Sequence, residues 1–351
     1  MSAARYLAIV LIIALSTGPA HALDNTAVAA RPRASRPERE EARTSRFHVP
    51  YRDSEVLYRN VVSARSFNRR ADLTYNPYYA MELELSPVFW LNQYLYSTLD
   101  VSLVREFTRA DTTTKGGETV LQDIYLAFGS PGVVTIPVVN IEVTPTVRFY
   151  VPSSKVSRAR TLILAIRPRI GLSRRFDVLD GLIFSYGMAF MGNLHESTTA
   201  ECEAPLIDVP PGSTRSEESF TNLGVRNTRF SLSNTVSLDL GVASWIGMRL
   251  MVSIIHGFLY RLGGDERISY EPQEPTDVRY MMAYNGEVYI RPRRFLTVAL
   301  GFITENYQLA PDSTYEAPFF NRYTAPYLDL RVDVAALSKK VKKAKKKRGR
   351  K

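Results

Sequence analysis

Cysteine is all but missing: Cys202 is the only one, which excludes an intrachain disulfide, a cysteine-rich zinc site and a lipid-modified cysteine at a signal cleavage site. Histidine is scarce too, with four in the chain, and no Cys/His metal spacing, glycine-rich phosphate loop or paired-carboxylate signature stands out. No metal or other cofactor is expected. Long hydrophobic runs are also lacking. The longest, from Tyr6 to Leu15, falls well short of the roughly 20 apolar residues that cross a bilayer as a helix. With Arg5 before it and Ala20-His21-Ala22 after it, that run has the three parts of a secretory signal, with cleavage expected after Ala22. An exported protein is implied, and any membrane anchoring must come from the fold.

The net charge of +10 belongs to one end of the chain. Of the 45 Lys and Arg, ten are Lys339, Lys340, Lys342, Lys343, Lys345, Lys346, Lys347, Arg348, Arg350 and Lys351, which leaves 35 against 35 Asp and Glu elsewhere. The body is electrically balanced, and only the tail would attract polyanions. In an exported protein the expected partner is an anionic envelope polymer, lipid headgroups or an acidic periplasmic protein, and not nucleic acid. The alternative is a solvated end with no specific partner.

Four segments follow: a signal peptide at 1–22, a disordered leader at 23–60, a body at 61–337 and the basic tail at 338–351. The leader, with Arg31-Pro32-Arg33-Ala34-Ser35-Arg36-Pro37, has almost no large apolar side chain to bury. The body shows long period-2 alternation, the signature of strands with two different faces. Val139, Ile141, Val143, Pro145, Val147, Phe149 and Val151 point one way, and Asn140, Glu142, Thr144, Thr146, Arg148 and Tyr150 the other. The next run sets Leu162, Leu164, Ile166, Pro168, Ile170 and Leu172 against Arg167, Arg169 and Ser173.

Alternation suits a soluble sandwich as well as a membrane barrel. Three features favour an all-β transmembrane antiparallel barrel in a bacterial outer membrane, touching outer-membrane lipid. Many runs exceed the roughly 9 to 11 residues of a tilted membrane strand, whereas globular strands average nearer five or six. Connections alternate between compact (86–92, 130–137, 174–181, 241–244, 291–294) and long (110–118, 152–158, 195–224, 263–276, 310–325), as periplasmic turns and outer loops do. Trp90, Tyr94, Trp245 and Phe295 stand beside the compact turns, as an interface girdle requires. About eleven runs are visible. Parity asks for one more strand in 61–75, which makes about twelve with both termini periplasmic; ten remains an alternative because 63–70 is poor strand material.

The face opposite the apolar one carries Glu82, Glu84, Asp100, Glu142, Asp239, Asp329 and Asp333 together with Arg148, Arg167, Arg169, Arg229 and Arg331. These are the expected lumen-lining residues, and they suit either a wet pore for small solutes or an internal salt-bridge lattice in a structural barrel. His195-Glu196-Ser197 resembles the His-x-Ser element of outer-membrane phospholipases and lipid A deacylases, where His activates Ser. Extending the alternation Leu182, Phe184, Tyr186, Met188, Phe190 sends even positions to lipid, which keeps His195 and Ser197 off the outer face such enzymes use. No enzyme is expected, and a rim lipid hydrolase stands third, after the pore and the structural barrel anchored by its basic tail. The stretch Val143–Phe176, with Thr144-Pro145-Thr146-Val147-Arg148, Val151-Pro152-Ser153-Ser154-Lys155 and Arg158-Ala159-Arg160-Thr161-Leu162, resembles uncharacterised outer-membrane barrels of δ-proteobacterial type. More loosely it is similar to transporter-like barrels of aromatic-compound degradation, and the resemblance implies a barrel without specifying chemistry. The final strand departs from the pattern: it closes on Val334-Ala335-Ala336-Leu337, without the usual terminal aromatic.

Overall fold

The computed structural model describes residues 50–64, 78–108, 117–202, 221–261, 277–307, 319–321 and 323–339. The signal peptide, most of the leader and tail residues 340–351 lie outside them. Twelve strands form one closed antiparallel sheet: β1 (Glu55–Val62), β2 (Tyr79–Ser86), β3 (Tyr96–Glu106), β4 (Ile124–Gly129), β5 (Ile141–Val151), β6 (Leu162–Phe176), β7 (Gly181–His195), β8 (Thr228–Ala243), β9 (Ile246–Leu259), β10 (Val278–Arg293), β11 (Leu296–Tyr307) and β12 (Ala325–Asp333). Each strand pairs with the next. β1 also pairs with β12 from Glu55↔Asp333 to Val61↔Tyr327, which closes the barrel and leaves no sheet edge exposed.

The two faces are inverted relative to a soluble protein. In β2 the buried side chains are Ala80, Glu82, Glu84 and Ser86, while Leu83 and Leu85 are exposed. The same holds around the ring: Leu103, Ile170, Phe190, Leu250, Val288, Leu300 and Leu330 face outward and exposed, and Asp100, Asp239, Arg249, Glu287 and Asp329 are enclosed. An apolar exterior on every side of a closed sheet has lipid as its natural solvent, because only a closed barrel satisfies all strand N–H and C=O groups there.

At one end the connections are compact, including 177–180, 244–245 and 294–295, and both barrel termini lie at that end. Short strands Val88–Trp90 and Val134–Ile136 belong to the other two connections there. The opposite end carries the long connections, among them a short helix, α1 (Lys155–Ala159), and a hairpin of Thr199–Cys202 with Thr221–Arg226. Ser154 starts α1 by accepting the Ser157 N–H at 3.1 Å.

The strand number agrees with the sequence expectation, but the first strand does not lie where it was placed. β1 begins at Glu55, inside the stretch read as leader, and ends at Val62. Unlike the leader before it, β1 carries the apolar side chains Val56, Leu57, Val61 and Val62, and its Arg59 is neutralised inside the barrel by Asp329 and Glu82.

Candidate functional site: the polar barrel interior

One wall of the interior is a continuous lattice of ion pairs spanning β1, β2, β8, β9, β10 and β12. Arg59 holds Asp329 through two contacts, Nε to Oδ1 at 2.8 Å and Nη2 to Oδ2 at 3.0 Å, and lies 3.7 Å from Glu82. Asp329 also accepts from Arg331 at 2.6 Å, and Arg331 forks onto Glu287 at 3.0 and 2.5 Å. Arg249 bridges Glu287 and Asp239, each at 2.9 Å. Side-chain exposure is 0% for Asp329 and 2% for Glu287. Burial of this kind is tolerable only because each carboxylate meets a guanidinium, and removing one partner of a buried pair costs about 3–5 kcal/mol.

Small residues make the reach possible. Tyr327 on β12 crosses Gly301 of β11 to donate to Glu287 of β10 at 3.0 Å, and a Cβ at Gly301 would stand 2.5 Å from the Tyr327 ring. Tyr289 likewise crosses Gly247 of β9 to donate to Asp239 of β8 at 2.9 Å, and a Cβ at Gly247 would collide with its hydroxyl. The glycines are required by close approach, not by backbone conformation.

The opposite wall, on β4 to β7, differs. Arg148 stands directly across from Arg167, and Arg169 across from Thr146 on the same face. Arg148 donates to the Tyr150 hydroxyl at 3.4 Å and lies 4.8 Å over the Tyr125 ring, while Arg167 donates to Ser233 at 3.3 Å. Ala127 and Ala189 are the small buried neighbours. The four side chains Thr146, Arg148, Arg167 and Arg169 enclose a cavity of about 20 Å³, enough for a water molecule.

Other expected residues are distributed differently. Glu84 and Asp100 are enclosed beside Ser86, whose single O–H lies within hydrogen-bond reach of both carboxylates, 2.8 Å from Glu84. Glu142 is half-buried opposite Ser173, near the compact end. Arg229 is exposed and stands where the register shifts between Thr228 and Phe230. Asp333 accepts the Ala336 N–H at 2.8 Å, capping a helical turn at 334–339 instead of joining the lattice. Among the girdle candidates, Tyr94 and Trp245 are exposed at the compact end and Phe295 is half-buried. Trp90 is held by Arg52, 3.7 Å from its ring, and by the Tyr96 ring at 5.4 Å. Of the tail cations only Lys339, which is exposed, lies among the described residues.

His195 and Ser197 do not form a couple. His195 Nδ1 meets the Arg160 carbonyl oxygen at 2.6 Å, and Ser197 Oγ accepts the Thr199 N–H at 3.3 Å. Arg59, Arg249 and Glu287 were missed from the sequence. The last two were legible, since Arg249 sits between Met248 and Leu250, and Glu287 beside Val288, in alternating runs.

No family model and no curated protein sequence matches the chain. Solved structures do resemble it. They include an outer membrane channel from Pseudomonas putida F1, with a TM-score of 0.49 and 9% identity over 81% of this chain and 96% of that one. The NanC porin matches with a TM-score of 0.43 and 8% identity over 80% and 98% of the two chains. LpxR from Salmonella typhimurium matches with a TM-score of 0.39 and 8% identity over 79% and 99%.

Proposed function

We propose that this barrel is an outer-membrane pore for small polar solutes, with both termini in the periplasm. The observation that carries the reading is the interior itself: charged and hydrogen-bonding groups face inward, and the β4 to β7 wall is lined by small residues and long arginines around a polar cavity. A twelve-stranded barrel is wider than the eight-stranded ones whose side chains fill them, so a wet path fits its girth. The compact connections at the end bearing both termini support the orientation, since periplasmic turns are the short ones.

The test is single-channel conductance of the refolded mature chain in planar bilayers, beside a chain ending at Leu337. Discrete steps in both are expected. Silence from protein shown to be folded by its heat-modifiable migration refutes the pore. It would favour a structural barrel, for which the ion-pair lattice already provides a rigid wall, anchored to the envelope through the basic tail.

A further inference from the structure

On the outside of the barrel, over β10 and β11, the face that should meet lipid is locally covered. Along β11, Ala299 is enclosed and Gly301 lies beneath the Tyr327 ring, so Leu300, Phe302, Thr304 and Asn306 face outward. On β10, Val288 faces outward, and Tyr284 and Met282 share its side, with the Tyr284 hydroxyl 3.7 Å from the Met282 Sδ. The register sets Thr304 opposite Tyr284 and Asn306 opposite Met282. Yet Tyr284, Thr304 and Asn306 are buried, while Leu300 and Val288 on the same face are open. Their cover is the end of the connection from β11 to β12, folded back over the outer wall. The Phe319 ring packs on Tyr284 with 4.9 Å between centroids. The Thr304 hydroxyl donates to the Phe319 carbonyl oxygen at 2.9 Å and, its one proton so committed, accepts from Thr324 at 2.8 Å. Thr324 in turn accepts the Asn321 N–H at 2.8 Å, and the Asn321 side-chain amide donates to Asn306. Phe319 and Phe320 themselves are 62% and 67% exposed.

The height of this contact decides what surrounds it. Thr304 stands nine residues beyond Phe295 of the compact turn. At about 3.3 Å per residue and a tilt of about 40°, that is roughly 23 Å along the barrel axis, within an apolar band of about 25 Å. From the other side, Tyr280 meets His256 at 5.1 Å in the outward aromatic row of the long-loop end, where Phe190, Phe230 and Phe258 stack in turn. Such a row marks the interface, and Tyr284 lies on the same strand between Tyr280 and the exposed Val288, on the membrane side of it. Unbonded hydroxyl and amide groups at that depth are costly, and the returning chain bonds them. We propose that Phe319, Phe320 and Asn321 form a strap immersed in the outer leaflet, where the two phenyl rings meet the acyl chains of outer-membrane lipid and Asn321 ties the strap to the wall. Both rings extend the apolar face of Leu300 and Phe302, which selects lipid as what covers them. A connection expected as an outer loop thus turns back into the membrane. The inference rests on the barrel's place in the outer membrane and is independent of whether the lumen conducts.

Spin-label accessibility tests it, with the full mature chain refolded in phosphatidylcholine vesicles. In a Cys202→Ser background, a nitroxide is placed through Phe320→Cys, through Leu300→Cys on the lipid face, or through Arg261→Cys, at a side chain 90% exposed beyond β9. Collision with oxygen, which concentrates among acyl chains, is compared with collision with a water-soluble nickel chelate. The oxygen-to-nickel ratio for Phe320→Cys is expected several-fold above that for Arg261→Cys and close to that for Leu300→Cys. Adding Asn321→Ala to Phe320→Cys should lower the ratio; no change would overturn the tie to the wall. A Phe320→Cys ratio equal to that of Arg261→Cys overturns the strap, while a high ratio for Leu300→Cys still upholds the barrel in lipid. Little collision with either reagent, with spin–spin broadening, overturns it in favour of an interface between copies of this chain. A low ratio for both Phe320→Cys and Leu300→Cys overturns the strap and the membrane placement together.

Discussion

Replacing Glu287 by Gln tests whether the lattice is a dry structural wall. The carboxylate is 2% exposed and receives Arg331 at 3.0 and 2.5 Å, Arg249 at 2.9 Å and the Tyr327 hydroxyl at 3.0 Å. An amide of the same shape keeps one acceptor but turns a donor toward guanidinium donors, and it leaves two enclosed cations short of a counter-charge. Removing one member of a buried pair costs about 3–5 kcal/mol. The lower end applies here, because Arg331 keeps Asp329 and Arg249 keeps Asp239. Equilibrium unfolding in urea, with the barrel in lipid vesicles and Trp90 and Trp245 emission as the signal, should show a lowered midpoint at unchanged slope. The double variant Glu287→Gln with Arg331→Met should recover part of the loss, giving a coupling of roughly 1 kcal/mol or more between these contacting groups. A cost for Glu287→Gln below about 1 kcal/mol, the range of solvated surface pairs, would refute the reasoning and show that water screens the lattice.

Three further outcomes are expected. Leu300→Arg, on the exposed apolar face at 66% exposure, should destabilise the vesicle-embedded barrel by about 2–4 kcal/mol if this position lies near the bilayer midplane; no loss in lipid would argue against lipid contact there. Gly301→Ala should displace Tyr327 from Glu287 and lower stability by about 1–3 kcal/mol, the usual cost of overpacking, read as a drop in unfolding midpoint. Arg167→Gln removes one of two facing guanidinium groups together with its hydrogen bond to Ser233, and stability is expected to change by no more than about 0.2–1 kcal/mol; a larger drop in unfolding midpoint would mean that the contacts of Arg167 within the fold outweigh the repulsion from Arg148.

Much of this fold was legible because lipid constrains both faces of every strand. Leu83 and Leu85 outside against Glu82 and Glu84 inside, or Ile170 outside against Arg169 inside, follow from a period of two that a soluble strand need not keep so strictly. Pairing was not legible. Arg331 reaches Glu287, 44 residues away, only because Thr297, Ala299 and Gly301 of β11 keep the space between them low, and nothing local announces that register. Trp90 matched a girdle by its place beside a turn, but its ring is taken up by Arg52 and Tyr96. β1 lies mostly in the stretch read as leader, and the partner that neutralises its Arg59 comes 270 residues later, at Asp329.

That last distance bears on how the protein comes into being. The seam between β1 and β12 joins the first and last strands of the barrel, so the wall cannot be completed until the chain is present through β12. Until then two rows of amide groups and two halves of an ion pair stand apart, at the two edges of an unclosed sheet. Such distant pairing is slow to form and open to aggregation meanwhile. A chain cut short of β12 therefore keeps Arg59 without Asp329 and a seam with no strand to close it.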